Sequence, residues 1–313
     1  MKVIPIAFDS FGVRSMATFV KTKDVNILID GAAALGPNRY GLKPTNEEFK
    51  ALEICKDIIV EIGKIADILI VTHFHYDHHP YPWDENLYSI YKNKIILAKD
   101  ISKDINLSGR IRGKIFESKV KENSKLEYVD GRSFEFGNTI ISFSKAVWHG
   151  DVGSKVGKVI MVYIEEGKDS FLFGSDAQSL ADKDALEFVK EKNPNFLIVD
   201  GYPTIFVGWE IQEKNFLKAK ENLKEAIREI DAKKIILDHH IVRDLHYKEK
   251  MKDVYELGEQ LKKEILTAAE FLKLDNFFLE VWRKEIKEGK RKIEVDKYFE
   301  ELKNKIRKEI ETA

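Results

Sequence analysis

Apolar positions follow two different spacings along this chain, and the two spacings predict strands and helices in alternation. Short apolar runs between turn residues are typical of strands, whereas apolar residues three and four positions apart are typical of helices. The first 30 residues read as three short strands broken at residues 9–12 and 21–24. The later runs of the strand type are residues 68–71, 139–144, 196–199 and 235–237, with a hairpin that turns at residues 165–168.

Helical spacing predicts helices between these strands. Thr45 and Glu48 have the spacing of a capping box at the start of the first long helix. Its apolar positions are Phe49, Leu52, Cys55, Ile59 and Ile62. A shorter helix is predicted near residues 180–192, and another long one has Phe216, Ala219, Leu223, Ile227 and Ile230 on its apolar side. Strands that alternate with helices in two similar halves predict a layered α/β architecture.

The pattern changes at about Tyr247. From there to residue 313 the chain is rich in Lys and Glu, has helical spacing, and has no apolar run of strand length. We therefore expect a domain at residues 1–246 and a helical extension at residues 247–313. The extension is expected to pack on the flank of the domain or against a second copy in a homo-oligomer.

Composition narrows the class of protein. With 313 residues, 43% of them hydrophobic and 34% charged, the chain is expected to be a soluble globular protein. Its 52 basic and 53 acidic residues leave a net charge of −1, so no general attraction to nucleic acid or to membranes is indicated. The single cysteine, Cys55, excludes an intrachain disulfide. With no signal peptide pattern and no membrane-spanning apolar run, we expect a cytoplasmic protein. Abundant Lys, Glu and Ile beside three glutamines are typical of thermophiles.

The most informative segment is the turn V-T-H-F-H-Y-D-H-H at residues 71–79. Its potential ligands, directly after an apolar strand, are His73, His75, Asp77 and His78. Imidazoles and carboxylates are the usual nitrogen and oxygen ligands of zinc-like ions. Ligand sites in α/β proteins also gather at the C-terminal ends of strands. The turn therefore indicates a metal site rather than an exposed cluster of histidines.

The pattern H-x-H-x-D-H resembles the signature of the metallo-β-lactamase superfamily. Other segments that resemble this superfamily occur in the expected order, namely Asp30-Gly31, Trp148-His149-Gly150, Phe173-Gly174-Ser175-Asp176 and Ile235-Ile236-Leu237-Asp238-His239-His240. The resemblance covers about residues 1–245 and implies the four-layer αββα sandwich, here with a C-terminal helical extension. Within the superfamily, the chain is most similar to an archaeal group of predicted metallo-hydrolases.

The resemblance also implies a binuclear centre with seven ligands. It assigns His73, His75 and His149 to one metal ion, and Asp77, His78 and a late histidine to the other, with Asp176 bridging the two. Two such ions about 3.5–4 Å apart can share a water and acidify it. The expected nucleophile is then a metal-bridging hydroxide, with Asp77, Asp176 and His239 as the expected catalytic residues.

The late histidine is one of an adjacent pair. Side chains of neighbouring residues at a strand end point in opposite directions, so only one of His239 and His240 is expected to reach the metal ions. The superfamily's nucleases have their final ligand four residues before an arginine. His239 stands four residues before Arg243, which favours His239 over His240.

Other residues are candidates for the surroundings of the ligands. His79 either reaches the substrate pocket or caps the next helix. Asp200 either orients a ligating histidine or forms an ordinary Asp-Gly turn with Gly201. The remaining candidates near the metal ligands or the substrate pocket are Tyr202, His240 and Arg243.

Two divalent ions, Zn²⁺ in the first place and Mn²⁺ or Fe²⁺ as alternatives, suit a site dominated by histidine. The superfamily implies hydrolysis without selecting a substrate. The leading hypothesis is a hydrolase of a phosphodiester, nucleic acid included, or of a related small ester. The alternatives are a lactonase or thioesterase and, as a different class, a metal-stabilised scaffold that binds nucleic acid or a protein partner.

Overall fold

A computed structural model describes residues 1–39 and 41–312 of the chain. Its internal contacts divide the chain into two compact units. The first unit comprises residues 1–97, 112–127 and 268–313, and the second comprises residues 98–111 and 128–267. Each unit contains one large β-sheet with helices packed against it. No helix among the described residues is both long and apolar enough to cross a membrane.

The strands of the described residues are β1 (Lys2–Phe8), β2 (Met16–Lys21), β3 (Asn26–Ile29), β4 (Ile68–Val71), β5 (Ile95–Ala98), β6 (Lys125–Tyr128), β7 (Ser133–Phe136), β8 (Thr139–Phe143), β9 (Val147–Trp148), β10 (Lys158–Val159), β11 (Val162–Glu166), β12 (Asp169–Phe173), β13 (Phe196–Val199), β14 (Lys234–Leu237) and β15 (Glu264–Leu266). The α-helices are α1 (Asn46–Ile65), α2 (Glu85–Tyr88), α3 (Leu107–Val120), α4 (Lys183–Lys192), α5 (Glu213–Glu229), α6 (Tyr247–Lys250), α7 (Lys252–Gln260), α8 (Ala268–Phe271), α9 (Leu279–Lys287) and α10 (Val295–Glu311).

The sheet of the first unit has the strand order β1-β2-β3-β4-β5-β6. Strands β1, β2 and β3 form an antiparallel meander, and β3 then pairs in parallel with β4. In that pairing Ile29 lies opposite Ile70, so both strands end at the same edge of the sheet. The residues that follow β3 and β4 are therefore brought together although about forty positions separate them.

The sheet of the second unit has the order β15-β14-β13-β12-β11-β8-β7. The hairpin of β11 and β12 pairs in antiparallel fashion, whereas β12, β13, β14 and β15 run parallel to one another. The inner strands are buried on both faces, which explains why they appear in the sequence as continuous apolar runs. Three consecutive parallel strands thus end at one edge, directly before Asp176, Asp200 and His239.

Helix α1 begins with the predicted capping box. The Glu48 amide donates to the Thr45 hydroxyl at 3.3 Å, and the Glu48 carboxylate accepts from the Thr45 amide at 2.9 Å. Helices α1 and α10 pack on each other and on β1, and helices α4, α5 and α7 pack in the second unit. Cys55, on the apolar side of α1, is buried, and burial raises the pKa of its thiol. Its position supports the interpretation of this residue as part of the core.

The region after Tyr247 differs from the helical extension that the sequence predicts. Helices α6 to α10 are present, but residues Glu264–Leu266 form β15, which pairs in parallel with β14 at the edge of the second sheet. The expectation of a segment without a strand is therefore wrong at these three residues. The compact units also do not follow the division at residue 246, because residues 247–267 belong to the second unit and the described residues from 268 onward to the first.

A buried ion pair ties α9 to α1 inside the first unit. The guanidinium of Arg283 donates to both carboxylate oxygens of Glu48 at 2.8 Å, and each side chain is only 1% exposed. The same guanidinium donates to the carbonyls of Gly36 at 2.7 Å and Leu42 at 3.1 Å. Its donors are thus distributed over a carboxylate and a loop, which is how a buried charge is retained.

We expect Arg283→Met to reduce the free energy of unfolding by about 3–5 kcal/mol, because the carboxylate of Glu48 would stay buried without its counter-ion. Guanidinium unfolding followed by circular dichroism measures this loss. Arg307→Met is the matched control, since Arg307 pairs with Glu61 at 3.6 Å where both side chains are more than half exposed. Equal stability losses in the two variants would contradict the prediction.

Candidate metal centre

The strand ends of each unit gather a separate set of potential metal ligands. In the first unit the set follows β3 and β4, and in the second it follows β9, β12 and β14. Strands β12 and β14 run parallel and so end at one edge of the sheet, whereas His149 follows β9 of a separate two-stranded sheet. The predicted ligands therefore form two groups, which are His73, His75, Asp77 and His78 in the first unit and His149, Asp176 and His239 in the second.

In the first unit, three imidazoles converge within the histidine-rich turn. The ring of His73 lies 4.7 Å from that of His75 and 4.1 Å from that of His78, measured between ring centroids. The turn is closed by backbone hydrogen bonds from His78 and His79 to the carbonyl of His75, at 2.9 and 3.0 Å. His73 and His78 are buried, and His75 is half-buried. Imidazoles in such close contact place several nitrogen donors together, as a metal site requires.

Asp30 fixes the orientation of this turn. Its carboxylate accepts from the Thr72 amide at 2.8 Å, from the Thr72 hydroxyl at 2.6 Å and from Nδ1 of His78 at 2.8 Å. Because Nδ1 of His78 is held by a carboxylate, Nε2 is the nitrogen that remains available for a metal ion. The sequence indicated Asp30-Gly31 only as a turn. The pairing of β3 with β4 gives Asp30 its contact with His78.

Asp77 is half-buried. Burial raises the pKa of Tyr81, and the negative charge of Asp77 raises it further. Asp77 lies on the same turn as the three histidines, so its carboxylate is the oxygen donor of this group of potential ligands.

His79 does not cap the following helix, because the side chain of Asp84 caps α2 by accepting from the Leu87 amide. His79 is 1% exposed, and its Nδ1 donates to the carbonyl of His75 at 2.9 Å. Burial lowers the pKa of His79 to about 3, so its ring is neutral in the physiological range. Its ring stacks with that of Tyr76 at 5.2 Å.

In the second unit, Asp176 turns its two carboxylate oxygens toward different histidines. Oδ2 lies 3.0 Å from Nε2 of His149, and Oδ1 lies 3.7 Å from Nε2 of His239. The carboxylate is 1% exposed. The backbone that presents it is unusual, since Ser175 has a positive φ of 50° in the left-handed region. Asp176 therefore has the disposition that a bridging carboxylate needs.

His149 follows the short strand β9, which is anchored by Asp182. One oxygen of Asp182 accepts from the Trp148 amide at 2.9 Å, and the other caps α4. The next residue, Gly150, has φ of 82°, and a Cβ there would lie 2.1 Å from Oε1 of Gln178. Gln178 in turn approaches Nδ1 of His149 at 3.4 Å. A glycine is required at position 150 for this arrangement.

The adjacent histidines His239 and His240 differ in their partners. Nδ1 of His240 donates to Asp200 at 2.7 Å, whereas one nitrogen of Arg243 lies 3.1 Å from Nε2 and 3.3 Å from Nδ1 of His239. His239 has φ of 60°, which turns its ring toward Asp176.

His240 lies on the other oxygen of Asp176, with its Nε2 3.9 Å from Oδ2. Burial first, and then the positive charge of Arg243, hold the pKa of His240 well below its usual value. Both histidines thus lie beside Asp176, and His240 is on the same side as His149, at 5.6 Å between ring centroids.

Asp200 and Tyr202 follow β13. Asp200 is completely buried and accepts from Nδ1 of His240, the neighbour of the favoured ligand His239, and Gly201 after it has φ of 73°. A Cβ on Gly201 would lie 2.5 Å from that of Ile241. Tyr202 is also completely buried, and its hydroxyl donates to Asp151 at 3.0 Å. Tyr202 therefore supports the loop after His149 rather than a ligand directly.

The groups present fit divalent transition metals. Within the first unit, ligand atoms of Asp30, His73 and His78 lie within 4.8 Å of one another, and the same holds in the second unit for Asp176, His239 and His240. In the first unit, a carboxylate holds Nδ1 of the predicted ligand His78. This carboxylate–histidine arrangement is the usual support of zinc-ligating imidazoles.

Comparisons with known proteins agree with this fold. No family model matches the chain. Among solved structures, the chain resembles the metallo-β-lactamase fold protein YhfI from Bacillus subtilis. The TM-score is 0.53 at 15% sequence identity, over 88% of this chain and 98% of that one. The chain also resembles the structure of an isothiocyanate hydrolase from Delia radicum gut bacteria. The TM-score is 0.53 at 16% sequence identity, over 86% of this chain and 97% of that one. These likenesses confirm the predicted metallo-β-lactamase fold.

A relative in sequence establishes the family. The UPF0282 protein of Korarchaeum cryptofilum is 42% identical over 288 residues, which are 92% of this chain and 95% of that protein. This agrees with the archaeal group that the sequence resembles. The chain belongs to the UPF0282 family of archaeal proteins.

Proposed function

We propose that this chain is a binuclear metal-dependent hydrolase of phosphodiesters. The observation that carries the proposal is the disposition of Asp176, whose Oδ2 lies 3.0 Å from His149 and whose Oδ1 lies 3.7 Å from His239. A carboxylate that only capped a helix or paired with one histidine would not need an oxygen beside each of two. A carboxylate can ligate two cations at once, and an imidazole cannot.

The proposed ligands are those of the sequence analysis. His73, His75 and His149 are assigned to one cation and Asp77, His78 and His239 to the other, with Asp176 shared. Asp30 holds His78, and Asp200 holds His240 beside the shared carboxylate. When bound, two such cations would activate a water and polarise the bond to be cleaved. The histidine-rich donor set favours zinc.

An anionic substrate is supported by Arg112. Its guanidinium lies 4.6 Å from the ring centroid of Tyr76, which stands between His75 and Asp77 in the sequence. Guanidinium groups bind phosphate oxygens with two parallel hydrogen bonds. A phosphodiester, with its negative charge, is therefore the substrate class that this side of the turn favours.

We expect the purified chain to contain close to two zinc ions, because the seven proposed ligands provide one complete set for each of two cations. Elemental analysis after dialysis measures the content. A control variant, His246→Ala, removes an exposed histidine and should keep the same content. A protein that holds no zinc or manganese even after loading would refute the proposal, and a content of one would refute its binuclear form.

A further inference from the structure

Four planar rings in the first unit form a continuous stack that begins in the histidine-rich turn. Tyr76 stacks with His79 at 5.2 Å and with Tyr81 at 4.0 Å, and Tyr81 stacks with Trp83 at 4.8 Å. The angles between successive ring planes are 20°, 22° and 22°. We refer to His79, Tyr76, Tyr81 and Trp83 as the ring stack. The rings of the stack face one another, and within the described part of the chain only its innermost ring, His79, also has edge contacts, with Phe74 and Phe116.

Exposure increases along the ring stack. His79 is 1% exposed, Tyr76 and Tyr81 are half-buried, and Trp83 is 74% exposed. Among the ring contacts of the described residues, Trp83 takes part only in the one with Tyr81. Packing of the turn accounts for the inner rings, but it does not account for an indole held parallel to them with most of its surface in water. The outermost face has the geometry of a place for one more planar ring.

A cation lies beside the ring stack. The guanidinium of Arg112 lies 4.6 Å from the ring centroid of Tyr76, and its hydrogen bond to the carbonyl of Phe74 is long at 3.4 Å. Among the described residues Arg112 forms no ion pair, although Arg112 and the carboxylate of Asp77 both act on the pKa of Tyr81. Arg112 is therefore a positive charge available to an anion beside the aromatic rings.

We propose that the ring stack binds the base of a nucleotide, with the base on the open face of Trp83 and a phosphate attracted by Arg112. The inference rests on the proposed function and names its substrate class. Every nucleobase has a planar face. Stacking on aromatic side chains, together with cation–π contacts from arginine, is the usual means by which proteins bind bases without sequence preference. Two stacking steps of 4.8 and 4.0 Å separate Trp83 from Tyr76, so Arg112, which lies over Tyr76, would attract the phosphate of a neighbouring nucleotide rather than that of the stacked one.

The test compares two ligands that differ only in the base. Calorimetric titration of the zinc-loaded full chain with adenosine monophosphate and with ribose 5-phosphate should show tighter binding of the former. Trp83→Ala should weaken the binding of adenosine monophosphate roughly tenfold, within the range for one stacked base, and leave ribose 5-phosphate unchanged. Trp83→Phe should keep most of the wild-type affinity for adenosine monophosphate. Trp209→Ala, which removes a 76% exposed tryptophan of the second unit, is the matched control and should bind both ligands normally.

Two outcomes would overturn the inference. One is equal binding of both ligands to the wild type, or adenosine monophosphate binding that Trp83→Ala does not alter. The other is a Trp83→Ala variant that changes only the oligomeric state in sedimentation, which would make Trp83 a contact between copies of the chain. Hydrolysis of bis-p-nitrophenyl phosphate is measured separately. Turnover without base-dependent binding would refute the ring-stack inference alone, whereas base-dependent binding without turnover would support it and refute the proposed hydrolase.

Discussion

Replacing Asp176 with alanine is expected to lower kcat for bis-p-nitrophenyl phosphate by roughly 10³-fold or more, the scale on which loss of one essential group reduces turnover. Asp176 is the carboxylate with one oxygen beside His149 and the other beside His239. Its removal takes a ligand from both proposed cations at once. Since p-nitrophenolate leaves without protonation, the assay isolates this effect from any general acid.

The control for Asp176 lies in the same β-hairpin segment of the second unit. Asp169 is exposed at the start of β12, so Asp169→Ala should keep wild-type turnover. Asp176→Asn, which keeps the shape and removes the charge, should be as inactive as Asp176→Ala while melting near the wild-type temperature. An Asp176→Ala variant with most of its activity would show that the two-metal mechanism is wrong. A wild type that opens lactones or thioesters but cleaves no phosphodiester would replace the substrate class and keep the mechanism.

His239→Ala is expected to lose one metal ion and nearly all turnover, and His240→Ala to retain both ions. His239 lies on Oδ1 of Asp176 with its ring flanked by Arg243, whereas His240 is tied through Nδ1 to Asp200 on the opposite oxygen. The two residues are therefore assigned different roles although they are adjacent. Metal content by elemental analysis and kcat on the same ester measure both effects.

Asp200→Asn provides an independent check on this assignment. This change weakens the hydrogen bond to Nδ1 of His240 and leaves His239 unaltered. The variant should therefore have the same metal content as His240→Ala. The reverse pattern, in which His240→Ala and Asp200→Asn lose an ion and His239→Ala does not, would transfer the final ligand position to His240.

Local sequence patterns were sufficient for most elements near the candidate centre. The runs before Asp30, His73, Asp176, Asp200 and His239 are all strands in the structure, because a strand buried on both faces must be apolar throughout. The capping box at Thr45 and the turn of the hairpin at Gly167 were likewise predicted, since both depend on neighbouring residues alone.

What the sequence could not predict depends on partners that are distant in the chain. Strand β15 has only three residues in a segment rich in charge, and its pairing with β14 makes it a strand. Asp30 reaches His78 because β3 pairs with β4, and Asp200 reaches His240 because β13 pairs with β14. An Asp-Gly pair after a strand reads as a turn from its local pattern, and in each of these pairs one residue has a positive φ while the aspartate holds a histidine.

The connectivity of the first unit also orders events during synthesis. Its helices α8, α9 and α10 come from residues 268 onward, while the strands of its sheet lie within residues 2–128. During translation, the ion pair between Glu48 and Arg283 therefore cannot form until the whole second unit has been synthesised. The contiguous part of the second unit, residues 128–267, is complete before that point. In the nascent chain the second unit is thus fully synthesised before the first, although the first contains the N-terminus. Domains are usually completed in the opposite order, from the N-terminus onward.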